Sequence, residues 1–507
     1  MPTDVGELQR LVTNLQKELN ILHDELTLLR HKIFGRRSER FSRDELSQQG
    51  LFTEAGECKE QPDNEPPQSV EVAAHTRAKP GRRPLPPDLP REEVVHDIPE
   101  EEKRCSCGAP LVRIGEEVSE KLDIVPVQLK VIRHIRPKYA CKKCEGIDCE
   151  HPVKVAPMPP QIVDKGIATP GLLAYILVSK FCDAIPFNRQ ERQFARIGIE
   201  LPRGDFCNWT AQVGRLCDPL MEIFLEEIRS GPIVQMDETR VQVMKEVGRP
   251  DTSQSYMWVL RGGPPGKPVH VYRYHPSRSA SIPLQYLNGY KGFLQTDGYD
   301  GYEEVGDLPG IIHAGCWAHA RRKFDEAAKA SKSGGSAHEA LARIGKMYTA
   351  ERELRALQLK PEDFMEKRKA RVLPILAAFK EWLESKEDQL VPSSHLGKAV
   401  SYTLKEWPKL IRYLDSPYLT PDTNLIENAI RPFVIGRKNW LFSGSPVGAH
   451  ASATLYSLIE TAKANGIEPY RYLRYIFAKL PLAKSREDFE KLTPQNLDPE
   501  EFVCLTV

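Results

Sequence analysis

Two aspartates stand at the ends of short apolar runs. Asp237 closes Pro232-Ile-Val-Gln-Met236, and Asp297 closes Phe293-Leu-Gln-Thr296. A charge at the tip of a buried strand is costly unless it is paired or coordinates a metal. A third acid, Glu427, lies four residues before Arg431, close enough on a helix to pair with it. Three converging carboxylates suit two divalent ions, Mg2+ or Mn2+, because such ions prefer hard oxygen ligands. One ion would activate an attacking oxygen and the other would stabilise the leaving oxygen. That is the chemistry of phosphoryl transfer, which rests on positioning and charge neutralisation. The competing reading is ordinary surface or capping acids; Asp297, followed by Gly298, also suits a plain turn.

The elements that must carry these acids can be read from the pattern. From Gly231 the texture is that of strands: Pro232–Met244, Ser255–Arg261 and Val269–Tyr274. Ser279–Leu287 reads as a helix, and Gly292–Thr296 and Gly310–Ala314 as further strands. Three strands, a helix and a fourth strand is the order of the ribonuclease-H-like fold. There the first and fourth strands lie side by side, so Asp237 and Asp297 would meet. Thr420-Pro421-Asp422 predicts a helix start, with Thr420 as N-cap and Pro421 in the first turn. Glu427 would then occupy the second turn of a short helix that Pro432 terminates. Arg431 can pair with the acid or touch a phosphate, and Arg437, Lys438 and Trp440 suit a DNA end. Trp317 to about Tyr413 is a long helical stretch, with strong helix formers at Ala340–Leu357 and Phe364–Ser385. Two more helices are expected at Val447–Ala464 and Tyr470–Ala478.

Upstream, Cys105-Ser-Cys107 and Cys141-Lys-Lys-Cys144 form two close cysteine pairs. Four thiolates so paired suit tetrahedral zinc, although the first pair is one residue tighter than usual; Cys149 and His151 could substitute. A module with so little core needs such a metal to fold. At the N-terminus, Val5, Val12, Leu19, Leu26 and Ile33 fall at one heptad position, and Leu8, Leu15, Leu22 and Leu29 at the other. This is the seam of a coiled coil that would self-associate, or else an amphipathic helix packed on its own domain. Arg36, Arg37 and Arg40 follow in a basic run, which reads either as phosphate contacts or as a solvated charge run. A proline-rich linker comes next; its Lys79–Pro84 stretch reads as bare linker or as an extended arm in a minor groove. Asn188–Ile199, a turn at Gly198 and Arg203–Leu216 fit a helix-turn-helix or an ordinary helical hairpin.

The 507 residues exceed one ordinary core, and 40% hydrophobic content supports folded domains. No apolar run approaches the ~18 residues of a membrane span, and Met1–Val12 has no signal-peptide core. A cytoplasmic protein is expected, in which close cysteine pairs point to metal before disulfide. The net charge of +1 neither supports nor excludes nucleic acid as a partner.

Taken together, several stretches resemble transposases of the insertion sequence 66 family. They are Lys32–Arg40, Arg82–Arg91, the cysteine module, Met236-Asp-Glu-Thr239, Thr296-Asp-Gly-Tyr299, Gly315–Phe324, Glu427-Asn-Ala-Ile-Arg-Pro432 and Thr461-Ala-Lys-Ala-Asn-Gly466. They follow in order along almost the whole chain. The resemblance implies a DDE-type transposase of bacterial, nucleoid-associated location. It would cut at transposon ends and join the 3′ hydroxyl to target DNA, using Asp237, Asp297 and Glu427. Magnesium at those acids and structural zinc at Cys105, Cys107, Cys141 and Cys144 are the implied cofactors. Transposon-end DNA, target DNA and small accessory proteins of the same element are the implied partners. Cys316 and His319 are similar to a Cys-x-x-His element that other transposase groups carry after the second Asp. His319, Arg321 and Arg322 are accordingly expected near substrate, although His313, Cys316 and His319 also suit a second metal or plain packing.

The expected architecture is multidomain α+β. A coiled coil and basic segment (1–43), a linker (44–99) and a zinc-binding module (100–155) precede a helical region (156–230). A ribonuclease-H-like α/β catalytic core (231–316 and 414–446) is split by a helical insertion (317–413), and a helical C-terminal element (447–507) follows. Two other functions fit the same pattern: a catalytically inactive zinc-containing DNA-binding regulator, and a ribonuclease-H-like nuclease.

Overall fold

The computed structural model describes residues 5–34, 129–140, 153–157, 159–163, 166–330, 335–497 and 502. The zinc-module cysteines and Arg36, Arg37 and Arg40 lie outside the described residues, as does the linker. The chain divides into two compact units, 40–158 and the remainder. In the first, β1 (Lys138–Ala140) pairs antiparallel with β2 (Val153–Val155).

The second unit begins with α1 (Val5–Phe34), the single helix that the heptads predict. Leu28 is buried, whereas Val12, Leu15, Leu19, Leu22, Leu26 and Leu29 stand exposed along the heptad seam. Further on come α2 (Pro170–Phe181), α3 (Phe187–Arg196), α4 (Arg203–Leu216) and α5 (Asp218–Ser230). Gly198, at φ +81°, makes the turn between α3 and α4. Phe187, Phe194 and Phe206 pack the two helices together. Gly214 lets α4 lie directly on Ala451, so one face of α4 is committed to the core.

Five strands form the central sheet: β3 (Ile233–Gln242), β4 (Gln254–Gly262), β5 (Val269–His275), β6 (Gly292–Gln295) and β7 (Ile311–Ala314). Their order is β5-β4-β3-β6-β7. The first three pair antiparallel; β6 and β7 join parallel to β3. The predicted neighbouring of the first and fourth strands is present. Between β5 and β6 runs α6 (Ser281–Tyr286), and between β6 and β7 the short α7 (Glu303–Gly306).

After β7 four long helices follow: α8 (Trp317–Ala330), α9 (Ser336–Ala356), α10 (Pro361–Glu387) and α11 (His395–Leu410). They bury their own apolar cluster around Trp317, Phe324, Phe379, Trp382 and Trp407. A second, larger cluster joins the sheet to α2–α5 and to three later helices, α12 (Asn424–Trp440), α13 (Pro446–Ala464) and α14 (Pro469–Lys479). A final short helix, α15 (Arg486–Glu490), opens on a capping box at Ser485 and Asp488. Helix α13 covers the free edge of β5. The His270 and Tyr272 amides, which have no further strand to bond, donate to Thr461 Oγ1 and Ser457 Oγ at 3.0 and 2.8 Å. Among the described residues no helix is long and apolar enough to cross a membrane.

One predicted element is corrected. Helix α12 begins at Asn424, with Thr423 rather than Thr420 as N-cap, and it runs through Pro432 to Trp440. Packing overrides the proline, because Ile430, Phe433 and Gly436 are buried on both sides of it. The Tyr272 hydroxyl donates to the Ala429 carbonyl in the turn that the proline loosens. Glu427 therefore sits in the first helical turn, where the positive end of the helix dipole favours a carboxylate.

Candidate active site

The three predicted acids lie within electrostatic reach of one another, Asp237 feeling the charges of both Asp297 and Glu427. On β3, Gln235 and Asp237 are two residues apart and so share a face; Asp297 lies two residues beyond Gln295, the last residue of β6. The parallel register sets Gln235 opposite Gln295, which carries Asp297 to the side of Asp237. Both glutamines are buried, and Gln235 Nε2 donates to Gln295 Oε1 at 2.8 Å. Gln295 Nε2 in turn donates to the Thr420 carbonyl at 2.7 Å, in the segment that leads into α12. A buried amide relay thus ties together the three elements that bear the acids.

Asp237 is partly buried, and its Oδ1 accepts from the Glu238 amide at 2.8 Å. Burial, then the charges of Glu238, Asp297 and Glu427, push its carboxyl up to about 8. Asp297 Oδ1 accepts from the Tyr299 amide at 3.1 Å, an Asx turn that aims the side chain back along the strand end. Glu427 Oε1 is buried and has no hydrogen-bond partner. His319, from the first turn of α8, feels both Asp297 and Glu427. Burial and Arg322 lower its pKa against those two charges, and its Nδ1 is likewise buried without a partner.

This donor set fits a divalent cation. A carboxyl pushed up by burial and then by neighbouring charge, and an orphaned carboxylate oxygen, are what a site looks like when the neutralising charge is supplied from outside. The acids repel one another without closing on a common point. Among the described residues, no three His, Cys, Asp or Glu side chains are grouped tightly enough to hold a metal ion.

The start of α12 is held chiefly from the helical region. Arg368, fully buried, forms a bidentate pair with Glu351 at 2.8 and 2.9 Å. Its remaining N–H groups donate to the Tyr413, Ser416 and Leu419 carbonyls at 2.7, 2.8 and 2.8 Å. Arg355 adds a bond to the Leu419 carbonyl at 2.7 Å. The Trp317 amide donates to the Pro421 carbonyl at 2.9 Å. The Cys316 sulfur accepts from Thr423 N and Oγ1 at 3.3 and 3.1 Å. Burial pushes the Cys316 thiol up to about 12, so it acts as a neutral tether. His313 Nε2 lies 2.8 Å from Thr296 Oγ1, which bonds the Asp297 carbonyl. These placements account for His313 and Cys316 through packing beside the acids.

The basic residues are spread along α8 and α12. Arg322, Arg431 and Lys438 are exposed, and Arg321 is partly buried. Arg437 donates to Thr239 Oγ1 at 3.2 Å, on the strand and face of Asp237. Trp440 turns inward and packs edge-on against Phe433, with ring centroids 5.5 Å apart.

Sequence reasoning missed the tethers. Gln235, Gln295, Glu351, Arg368 and Tyr402 act at the site although none was singled out. Tyr402 of α11 lies against Gly298, where a Cβ would collide with its hydroxyl. One signal was present: Gln-x-Asp occurs at both strand ends. Glu238, next to Asp237, faces the opposite side of the sheet, where Arg278 and Tyr302 engage it. It belongs to the support and not to the carboxylate cluster.

The sequence matches known proteins along almost its whole length. A family model described as Transposase IS66 family matches residues 165–451. Models for the zinc-finger binding domain of transposase IS66 and for the IS66 C-terminal element match 102–145 and 457–495. A fourth, described as Transposase C of IS166 homeodomain, matches 21–94. The uncharacterized protein y4jD of Sinorhizobium fredii is 34% identical, with 98% of this chain and 97% of that protein covered. The uncharacterized protein y4qI of the same organism is 30% identical, covering 98% and 92%.

Proposed function

The chain belongs to the IS66 transposase family, and from that premise we propose that it is a DDE-type enzyme that cuts transposon ends and joins the 3′ hydroxyl to target DNA. The observation that carries this reading is the electrostatic coupling of Asp237 with Asp297 and Glu427, with Asp237 raised to about 8 by burial and carboxylate charge. The sheet order, with β3 between the antiparallel β4 and the parallel β6, supports a ribonuclease-H-like core interrupted by the helices of 317–413.

Asp237, Asp297 and Glu427 would hold magnesium ions, which when bound supply charge neutralisation and activation of the attacking oxygen. The protein's own part is positioning. Asp237 would be positioned by β3, Asp297 by the Asx turn that follows β6, and Glu427 by its tethered helix. His319 stands where it can hold a proton or a phosphate oxygen between Asp297 and Glu427. Arg322, Arg431 and Lys438 offer charge to the DNA backbone, which fixes register without reading sequence. Arg321, Arg437 and Trp440 support that surface from partly buried positions. Cys105, Cys107, Cys141 and Cys144 would bind the structural zinc, and Arg36, Arg37 and Arg40 would add phosphate contacts. The location that goes with this activity is the bacterial cytoplasm, at the nucleoid.

The test is strand transfer on the element's own terminal DNA, whose sequence flanks the gene. Asp237→Ala, Asp297→Ala and Glu427→Ala are each expected to lose at least about a thousand-fold in rate, because the three act as a unit. Equal joining by wild type and Asp237→Ala would end the enzymatic reading. The exposed heptad seam of α1 suits pairing with a second copy. Removing residues 5–34 should lower the mass in solution; an unchanged oligomer would assign self-association elsewhere.

A further inference from the structure

Helix α12 ends in an unusual turn. Leu441 has φ +68° and ψ −52°, a left-handed conformation that a bulky side chain rarely adopts. The Phe442 amide donates to the Trp440 carbonyl at 2.9 Å and closes a three-residue γ-turn of the strained kind. Strain of this sort persists only where the surroundings impose it. Here Ser443 imposes it: its amide donates to the Gln242 carbonyl, and its carbonyl accepts from Met244 N, both at 2.9 Å. The turn is thereby fastened to the far end of β3, the strand that carries Asp237.

The strain holds apolar side chains in water. Leu441 is 65% and Phe442 44% exposed. On the adjoining β3–β4 hairpin, Val247 is 99% exposed. The surrounding charge is basic: Lys438 and Lys245 are exposed, and the stretch 437–448 contains no acid. The nearby Glu246 is buried and engaged by Ser255, Tyr274 and Arg249. Asp251 is exposed, and its Oδ1 accepts from the Lys245 amide. Apolar tips ringed by cations complement a DNA duplex, which offers phosphates outside and base faces within.

We propose that Leu441 and Phe442 form an apolar wedge that enters the transposon-end duplex and stacks against its bases. The proposal rests on the transposase reading above. Six residues of strand separate Asp237 from Val243, or about 20 Å at ~3.3 Å per residue. For a duplex lying along β3, ~3.4 Å per base pair puts the wedge about six base pairs from the cleaved phosphate. It would fix the register of the end in the site.

The experiment uses the full chain and the terminal-repeat duplex with 2-aminopurine at single positions. Wild type should raise fluorescence at a step about six base pairs from the cut. Phe442→Ala should abolish that signal and weaken end binding about ten-fold, whereas Phe442→Trp should keep both. Leu441→Gly relieves the turn, so it should keep or raise the melting temperature while weakening end binding. Wild-type signal and affinity in Phe442→Ala and Leu441→Gly would overturn the wedge. So would a lower solution mass in Phe442→Ala with DNA binding intact, which would assign the patch to a protein partner. If wild type itself fails to join ends, the transposase reading fails instead, and the two failures are distinguishable.

Discussion

The sheet and the helical region deliver carboxylates to the same place by different means. Asp237 lies on β3 and Asp297 two residues past the end of the adjacent parallel β6, so backbone pairing from Ile233 to Gln295 brings the two acids near each other. Glu427 rides on a helix whose approach, 416–423, is held by side chains: Arg368, Arg355 and Gln295 donate to its carbonyls, and the Cys316 sulfur accepts from Thr423. A strand ladder spreads the work over many similar bonds. A side-chain tether concentrates it in a few residues, each open to a single substitution.

The strongest way to break this contrast is Arg368→Leu. It removes the bidentate partner of the buried Glu351, which keeps only its bond to Arg355 at 2.8 Å, a loss of up to about 3–5 kcal/mol. It also strips donors from the Tyr413, Ser416 and Leu419 carbonyls. Thermal unfolding should drop steeply and strand transfer with it. The double variant Arg368→Leu with Glu351→Leu removes the half-neutralised charge and should recover most of the stability, yet joining should stay low because the Tyr413 and Ser416 carbonyls remain untethered. Full recovery of joining would show that the tether has no part in placing Glu427.

A smaller effect is expected at the sheet. Asp237 titrates near 8 in the folded chain against 3.8 as an ordinary carboxyl. Between those values the folded state keeps a proton that the unfolded chain has lost. Without divalent ions, stability attributable to this group is therefore full below about pH 4 and declines as pH rises through about 8. Melting in a chelator from pH 5 to 8.5 should show the decline, and Asp237→Asn should flatten it. An unchanged slope in Asp237→Asn would place the titration elsewhere. The mildest probe is Gly298→Ala, which drives a methyl against Tyr402 and should cost about 1–3 kcal/mol. Tyr402→Phe in that background should return part of the loss. No rescue would mean that the clash is absorbed by the Asp297 turn.

Much of this was legible in the chain. The strands around Asp237 and Asp297 were placed within a residue or two, because apolar runs bounded by turn residues are local signals. The extent of α12 was not legible. Pro432 argued for an end, and the long-range burial of Phe433 and Gly436 against α13 overrode it. The inward turn of Trp440 onto Phe433 has the same origin. Arg368 could not be picked from among 71 basic residues, since its partners Glu351 and Leu419 are remote in sequence.

What the sequence by itself determined is the chemistry and the elements: three acids, the strands and the helix that bear them, the heptads of α1 and the paired cysteines. Those depend on residue type and short periodicities, which folding does not alter. Only the tertiary structure decided how the acids come to face one another and at what charge. The raised pKa of Asp237, the unpartnered oxygen of Glu427 and the strained outward turn of Leu441 arise only when segments far apart in the chain pack against one another.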